Sequence, residues 1–165
     1  MSQPTLRIEV TRVIPAPSEA VFSCLANPHR HHDFDGSDMV GEAVEGAATL
    51  FLGAIFTLRM HRLGRDYSMI NYVVEFEENR RLAWEPAPGD LETAGGDPDR
   101  IGVPSGYRWG FLLTNVSELV TEVTEFFDCG RPDNNWIVER DAGRWINGHA
   151  PSRSPWPPLS CASNE

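Results

Sequence analysis

The segment from Tyr67 to Phe76 constrains the fold of this chain more than any other. Ile70, Tyr72, Val74 and Phe76 recur there at every second residue, a period that a strand places on one face and a helix does not. Glu77-Glu78-Asn79-Arg80 makes a polar turn, and Arg81 to Glu85 returns with Leu82 and Trp84 on one side, so the two runs read as a hairpin. The same alternation occurs from Leu6 to Ile14, from Val40 to Val44, and from Phe51 to Met60, where Phe56, Leu58 and Met60 share a face. It returns from Tyr107 to Thr114, with Trp109, Phe111 and Leu113 together, and from Leu119 to Phe127, with Thr121, Val123, Glu125 and Phe127 together. Short links between such runs predict antiparallel pairing.

Helical spacing is confined to two places. After Pro15 and Pro17, Ser18 is an N-cap candidate with Glu19 beside it; Val21, Phe22 and Leu25 follow, and Asn27-Pro28 stops the run. Late in the chain, Asn134 or Asn135 precedes Trp136, Ile137, Arg140, Arg144, Trp145 and Ile146, with Gly148 as the stop. Strands in succession with helices towards the ends indicate an α+β domain over residues 1–150. Pro151, Pro155, Pro157 and Pro158 make 151–165 an irregular C-terminal tail. Residues 86–106 are rich in Pro, Gly and Asp without periodicity, and are expected to form a mobile acidic excursion.

Composition narrows the function. A formal net charge of -10, with all 14 basic residues arginine, excludes the clustered positive charge that nucleic acid requires. The opening MSQPTLRIEV lacks a charged region followed by a long apolar stretch, so no secretory signal is expected, and no apolar run is long enough to span a bilayer. Cys24, Cys129 and Cys161 are odd in number and follow no metal-binding spacing, which suits reduced thiols in a cytoplasmic protein. No phosphate-binding glycine loop, zinc-protease helix or nucleophile elbow is present, so no cofactor is expected.

Three stretches resemble the START-like, or SRPBCC, superfamily, in its polyketide cyclase/dehydrase and lipid-transport branch. They are RIEVTRVIPAPSEAVFSCLANPHRHHDFDGS, then VVEFEENRRLAWEP, then GYRWGFLL with TEVTEFFD, within residues 5–147. The resemblance implies a helix-grip fold, in which a curved seven-stranded antiparallel sheet wraps a long C-terminal helix around a hydrophobic tunnel. It implies no shared reaction and no invariant catalytic set. The chain departs from that pattern after Gly148, where the prolines imply that the last helix is either truncated or has its final turns replaced, which would leave one end of the tunnel less covered. A homodimer partner, or Trp156 and Leu159 folding back, are two ways to cover it.

Candidate site residues follow from strand faces and from one polar segment. Phe56, Leu58, Ile70, Tyr72, Trp84, Trp109, Phe111 and Val123 are expected to face the cavity and bind ligand. Glu125, alternating with Val123 and Phe127, is expected inward, where burial would raise its pKa and suit it to proton transfer. A bulge reversing the register, or pairing with Arg108 or Arg59, is the alternative. His29, His31, His32, Asp33 and Asp35 form the densest cluster of titratable groups. Adjacent His31 and His32 diverge on almost any backbone, so no metal site is expected. His32 with Asp35 is the acid–base candidate. These residues point to binding of a small hydrophobic molecule such as a lipid or polyketide. Two alternatives stay open: a cyclase or dehydratase using acid–base groups in the same cavity, and a protein-interaction module resembling the chaperone-activator members.

Overall fold

A computed structural model describes residues 7–35 and 38–128. The fold is α+β and helix-grip-like, with seven strands in one antiparallel sheet. Along the chain run β1 (Arg7–Ile14), α1 (Ser18–Leu25), a 3-10 turn (Pro28–Arg30), α2 (His31–Phe34), β2 (Val40–Gly46), β3 (Ile55–Arg62) and β4 (Arg65–Glu77). Next come β5 (Arg81–Pro88), a second 3-10 turn (Pro98–Arg100), β6 (Arg108–Ser117) and β7 (Val120–Asp128). The sheet order is β1-β7-β6-β5-β4-β3-β2. Only β1 lies away from its sequence neighbour, closing beside β7 with Ile8 opposite Phe127 and Val10 opposite Glu125. The late helix expected before Gly148, and the tail after it, lie outside the described residues.

Each short helix forms for a local reason. Pro17, extended at φ -66° and ψ 152°, takes the cap position of α1 that the sequence suggested for Ser18, and Ser18 is the first helical residue, buried. Proline suits this place because its fixed φ and missing N–H cost nothing there. Val21, Phe22, Cys24 and Leu25 then bury one face of α1 against β6 and β7. Asn27 accepts the His29 N–H at 3.0 Å and opens the 3-10 turn, which passes directly into α2. Cys24 is disulfide-bonded, which corrects the expectation of three reduced thiols.

The core lies between this helical segment and one face of the sheet, where Val21, Phe22, Leu25, Phe34, Leu50, Phe56, Leu82, Trp84, Phe111 and Val123 pack together. Phe22 meets Phe76 edge-on with ring centroids 5.4 Å apart. On the opposite face, Phe126 packs over Gly110 and is 2% exposed, with the Arg7 guanidinium 3.9 Å from its ring. Arg108 bridges Glu75 and Glu85 on that same outer face.

One expectation about strand faces is corrected. The pairing of β4 with β5 shifts between Val73 and Glu75, where a bulge inserts Val74. A bulge reverses which residues face inward on either side of it. Phe76 therefore faces the core as predicted, whereas earlier in the strand the inward residues are Tyr67, Met69, Asn71 and Val73. Ile70 and Tyr72 stand on the outer face. Tyr72 is paired with Ile55 and Glu85 and donates its hydroxyl to the Gly102 carbonyl at 2.8 Å.

Residues 89–107 are also folded rather than loose. The Asp90 carboxylate accepts from the Ser68 and Thr93 backbone N–H groups, both at 2.8 Å, and from the Thr93 hydroxyl at 2.8 Å. Gly102 N–H bonds to the Pro88 carbonyl and Ser105 N–H to the Pro86 carbonyl. The segment thus lies along the half of β5 that β6 leaves unpaired, since β5 and β6 pair only from Arg81 to Trp84. Ala94 is buried at its centre.

Candidate functional site: a cavity with two carboxylates and a neutral histidine

Between the sheet, α2 and the 89–107 segment lies a cavity of about 550 Å³, a size suited to a small organic ligand. Of the eight residues expected to bind ligand, Leu58, Trp84, Trp109 and Phe111 line it. Phe56 and Val123 sit behind them in solid core, 1% and 4% exposed. Ile70 and Tyr72 are on the other side of the sheet because of the β4 bulge. Sequence reasoning missed Met39, Val40, Met69, Asn71, Pro86 and Pro88, which complete much of the wall together with Phe127, expected inward beside Glu125. Asn71 and Met69 were misplaced by the same bulge.

Strand registers set the axis of the cavity. Trp84 pairs with Trp109 and Val73, while Pro88 pairs with Met69 and Met60 with Tyr67. The wall therefore runs from Trp84 and Phe111 at an inner pole to Arg62, Tyr67 and Arg100 at the β3–β4 hairpin end.

At the inner pole stand three ionisable groups: His31, Asp35 and Glu125. Glu125 lies in the uninterrupted stretch of β7, opposite Val10 on β1 and Phe111 on β6, so period-two alternation holds and the side chain points into the cavity. Arg108 does not neutralise it, being engaged by Glu75 and Glu85 behind the sheet. Among the described residues the carboxyl has no hydrogen-bond partner. Burial, with the nearby charge of Asp35 adding to it, raises its pKa from 4.5 to about 7.

Asp35 is fixed at the end of α2, one oxygen accepting the Met39 and Val40 N–H groups at 2.8 and 2.7 Å. The histidine that accompanies it is His31, not His32. His32 points outward and pairs with Asp33 at 3.0 Å. His31 is 4% exposed, stacks on Trp84 with centroids 5.3 Å apart and planes at 22°, and meets Phe56 edge-on. Its Nε2 lies 2.8 Å from the Leu25 carbonyl oxygen. A carbonyl only accepts, so Nε2 carries the proton. Burial lowers the pKa to about 4, so the ring is neutral and Nδ1 is left as a lone-pair acceptor.

No protein-family model matches the chain. It is 27% identical over 122 residues to the uncharacterised protein Rv0088 of Mycobacterium tuberculosis, a match covering 74% of this chain and 47% of that protein. The chain thus spans about half the length of the curated relatives it matches. Among solved structures, it resembles the polyketide-cyclase-like protein Cgl2372 of Corynebacterium glutamicum, with 16% identity and a TM-score of 0.50. That likeness covers 89% of this chain and 79% of the other. It also resembles protein Ms6760 of Mycobacterium smegmatis, with 13% identity and a TM-score of 0.61 over 87% and 85% of the two chains. The fold is the one these solved structures share, the first of them described as polyketide-cyclase-like.

Proposed function

We propose that a chain with this polyketide-cyclase-like fold binds a small hydrophobic ligand in its internal cavity. The observation that carries the reading is the cavity itself, walled by Phe34, Leu58, Met69, Trp84, Trp109 and Phe111. Such a wall favours an apolar guest because water held against it is released on binding. The similarity to proteins of this fold supports the reading, and the hollow interior favours it over a protein-interaction module, which would be expected to pack solid.

The test uses purified protein and N-phenyl-1-naphthylamine, a weakly basic dye that is uncharged at neutral pH. Saturable fluorescence enhancement, and quenching of tryptophan emission through Trp84 and Trp109, are expected. Met69→Trp, which fills the middle of the cavity, removes both while leaving the protein folded. Unsaturable dye binding, or binding unaffected by Met69→Trp, would overturn the reading.

A second reading has its own observation, the meeting of His31, Asp35 and Glu125 at one pole. In that reading protonated Glu125 gives its proton to a carbonyl oxygen while the Asp35 carboxylate takes one from the adjacent carbon. That is the enolisation step of an aldol-type ring closure or a dehydration. Turnover of a ketone probe with a pH profile set by Glu125, and abolished by Glu125→Gln, would support it. Unchanged turnover in that variant would remove it.

A further inference from the structure

The ionisable groups of the cavity are distributed unevenly. Glu125 on β7 and Asp35 after α2 share the inner pole, and the other titratable group there among the described residues, His31, is held neutral by its burial, which outweighs the opposite pull of its bond to the Leu25 carbonyl. The arginines of the lining, Arg62 on β3 and Arg100 in the 89–107 segment, belong to the opposite end, with Tyr67. Glu92 at that end is already paired with Arg65. Two carboxylates thus face a space walled by the rings of Phe34, Trp84 and Phe111. For Glu125 the described residues supply neither a cation nor a hydrogen-bond donor.

Building on the hydrophobic-ligand reading, we propose that the inner pole selects ligands carrying a protonated amine, with their apolar part lying along the cavity towards Arg62. Three features of that pole favour a cation over the alternatives. A carboxylate ligand would meet Asp35 and Glu125 as like charges. A neutral hydroxyl would satisfy one acceptor and bring no charge to the buried Glu125 carboxyl. An ammonium offers N–H donors to Glu125, Asp35 and the His31 Nδ1 lone pair at once, and its charge is attracted by the aromatic faces around it. No bond is made or broken. Binding displaces the proton that Glu125 otherwise holds, because a neighbouring cation favours the carboxylate.

The experiment compares three probes of one shape on the full chain by calorimetry: 1-naphthylmethylamine, 1-naphthalenemethanol and 1-naphthoic acid. At pH 8 the amine is expected to bind about tenfold or more tighter than the alcohol, with the acid weakest. Glu125→Gln should weaken the amine by about tenfold and leave the alcohol within about twofold. Titrations near pH 7 in buffers of different ionisation heat should show a proton released as the amine binds, and none in the variant. Equal affinity for amine and alcohol, preference for the acid, or no proton release would overturn the inference while leaving the cavity reading intact. Failure of all three probes to bind would overturn both.

Discussion

His31 and Glu125 respond to pH in opposite senses. The folded pKa of His31, about 4, lies below its ordinary value of 6.5. Its contribution is fully present above pH 6.5 and is lost as pH falls towards 4, where the unfolded chain binds the extra proton. Glu125 is the reverse. Its folded pKa of about 7 exceeds 4.5, so stability declines as pH rises from 4.5 to 7 and stays lower above that. Between pH 4.5 and 6.5 the two slopes oppose each other and the stability of the native chain is comparatively flat. Glu125→Gln removes one of them. The variant is expected to be more stable than the parent at pH 8 by about 1–3 kcal/mol and to lose stability more steeply on acidification. Urea unfolding at pH 5, 6.5 and 8 measures this, and an unchanged pH dependence would refute the buried, uncompensated position of Glu125.

At the scale of elements, two local arrangements carry more than their length suggests. Asp90 ties the 89–107 segment to β4. Burial alone would push its pKa up, but the hydrogen bonds from Thr93 and Ser68 outweigh it and hold the carboxyl below the usual range. Its contribution is present above the ordinary aspartate pKa and is lost as pH falls below that. Asp90→Ala is expected to cost about 1–3 kcal/mol, and to expose the bond beside Leu91 to thermolysin at concentrations that leave the parent intact. On the outer face, a Cβ on Gly110 would come 2.5 Å from the Phe126 ring and 2.7 Å from the Ala83 side chain. Gly110→Ala should destabilise by about 2 kcal/mol or more, read as a lowered melting temperature. A parent-like melting curve would mean that the ring is not seated there. The strands themselves were legible from period-two alternation, as was the inward aim of Glu125 on a strand without a bulge at that point. Ile70 and Tyr72 were not, because a single inserted residue, Val74, has no sequence signature and turns over everything before it. His32 was preferred to His31 because adjacent residues differ only in helical phase, and α2 is too short to announce its phase. The compact course of 89–107 was hidden for another reason: its order comes from Asp90 and from backbone bonds to β5, which no local periodicity records.

For the molecule as a whole, the wall of the cavity is not uniform. On most sides it is a continuous ladder of paired strands, but from Glu85 to Pro88 the neighbour of β5 is the irregular segment, joined to it through the Gly102 and Ser105 N–H groups. Parting a ladder means breaking many bonds together, whereas this seam is closed by a few, with Asp90 and Tyr72 as its outer fastenings. The open sheet therefore has a built-in doorway beside Pro86 and Pro88, and guest exchange is expected to proceed there without loosening the paired strands. Amide hydrogen exchange should find Gly102 and Ser105 opening orders of magnitude faster than Phe111 or Val123, and an occupied cavity should slow the first pair selectively. A guest would then come and go at the rate of one local hinge, however firmly the remainder of the molecule is held.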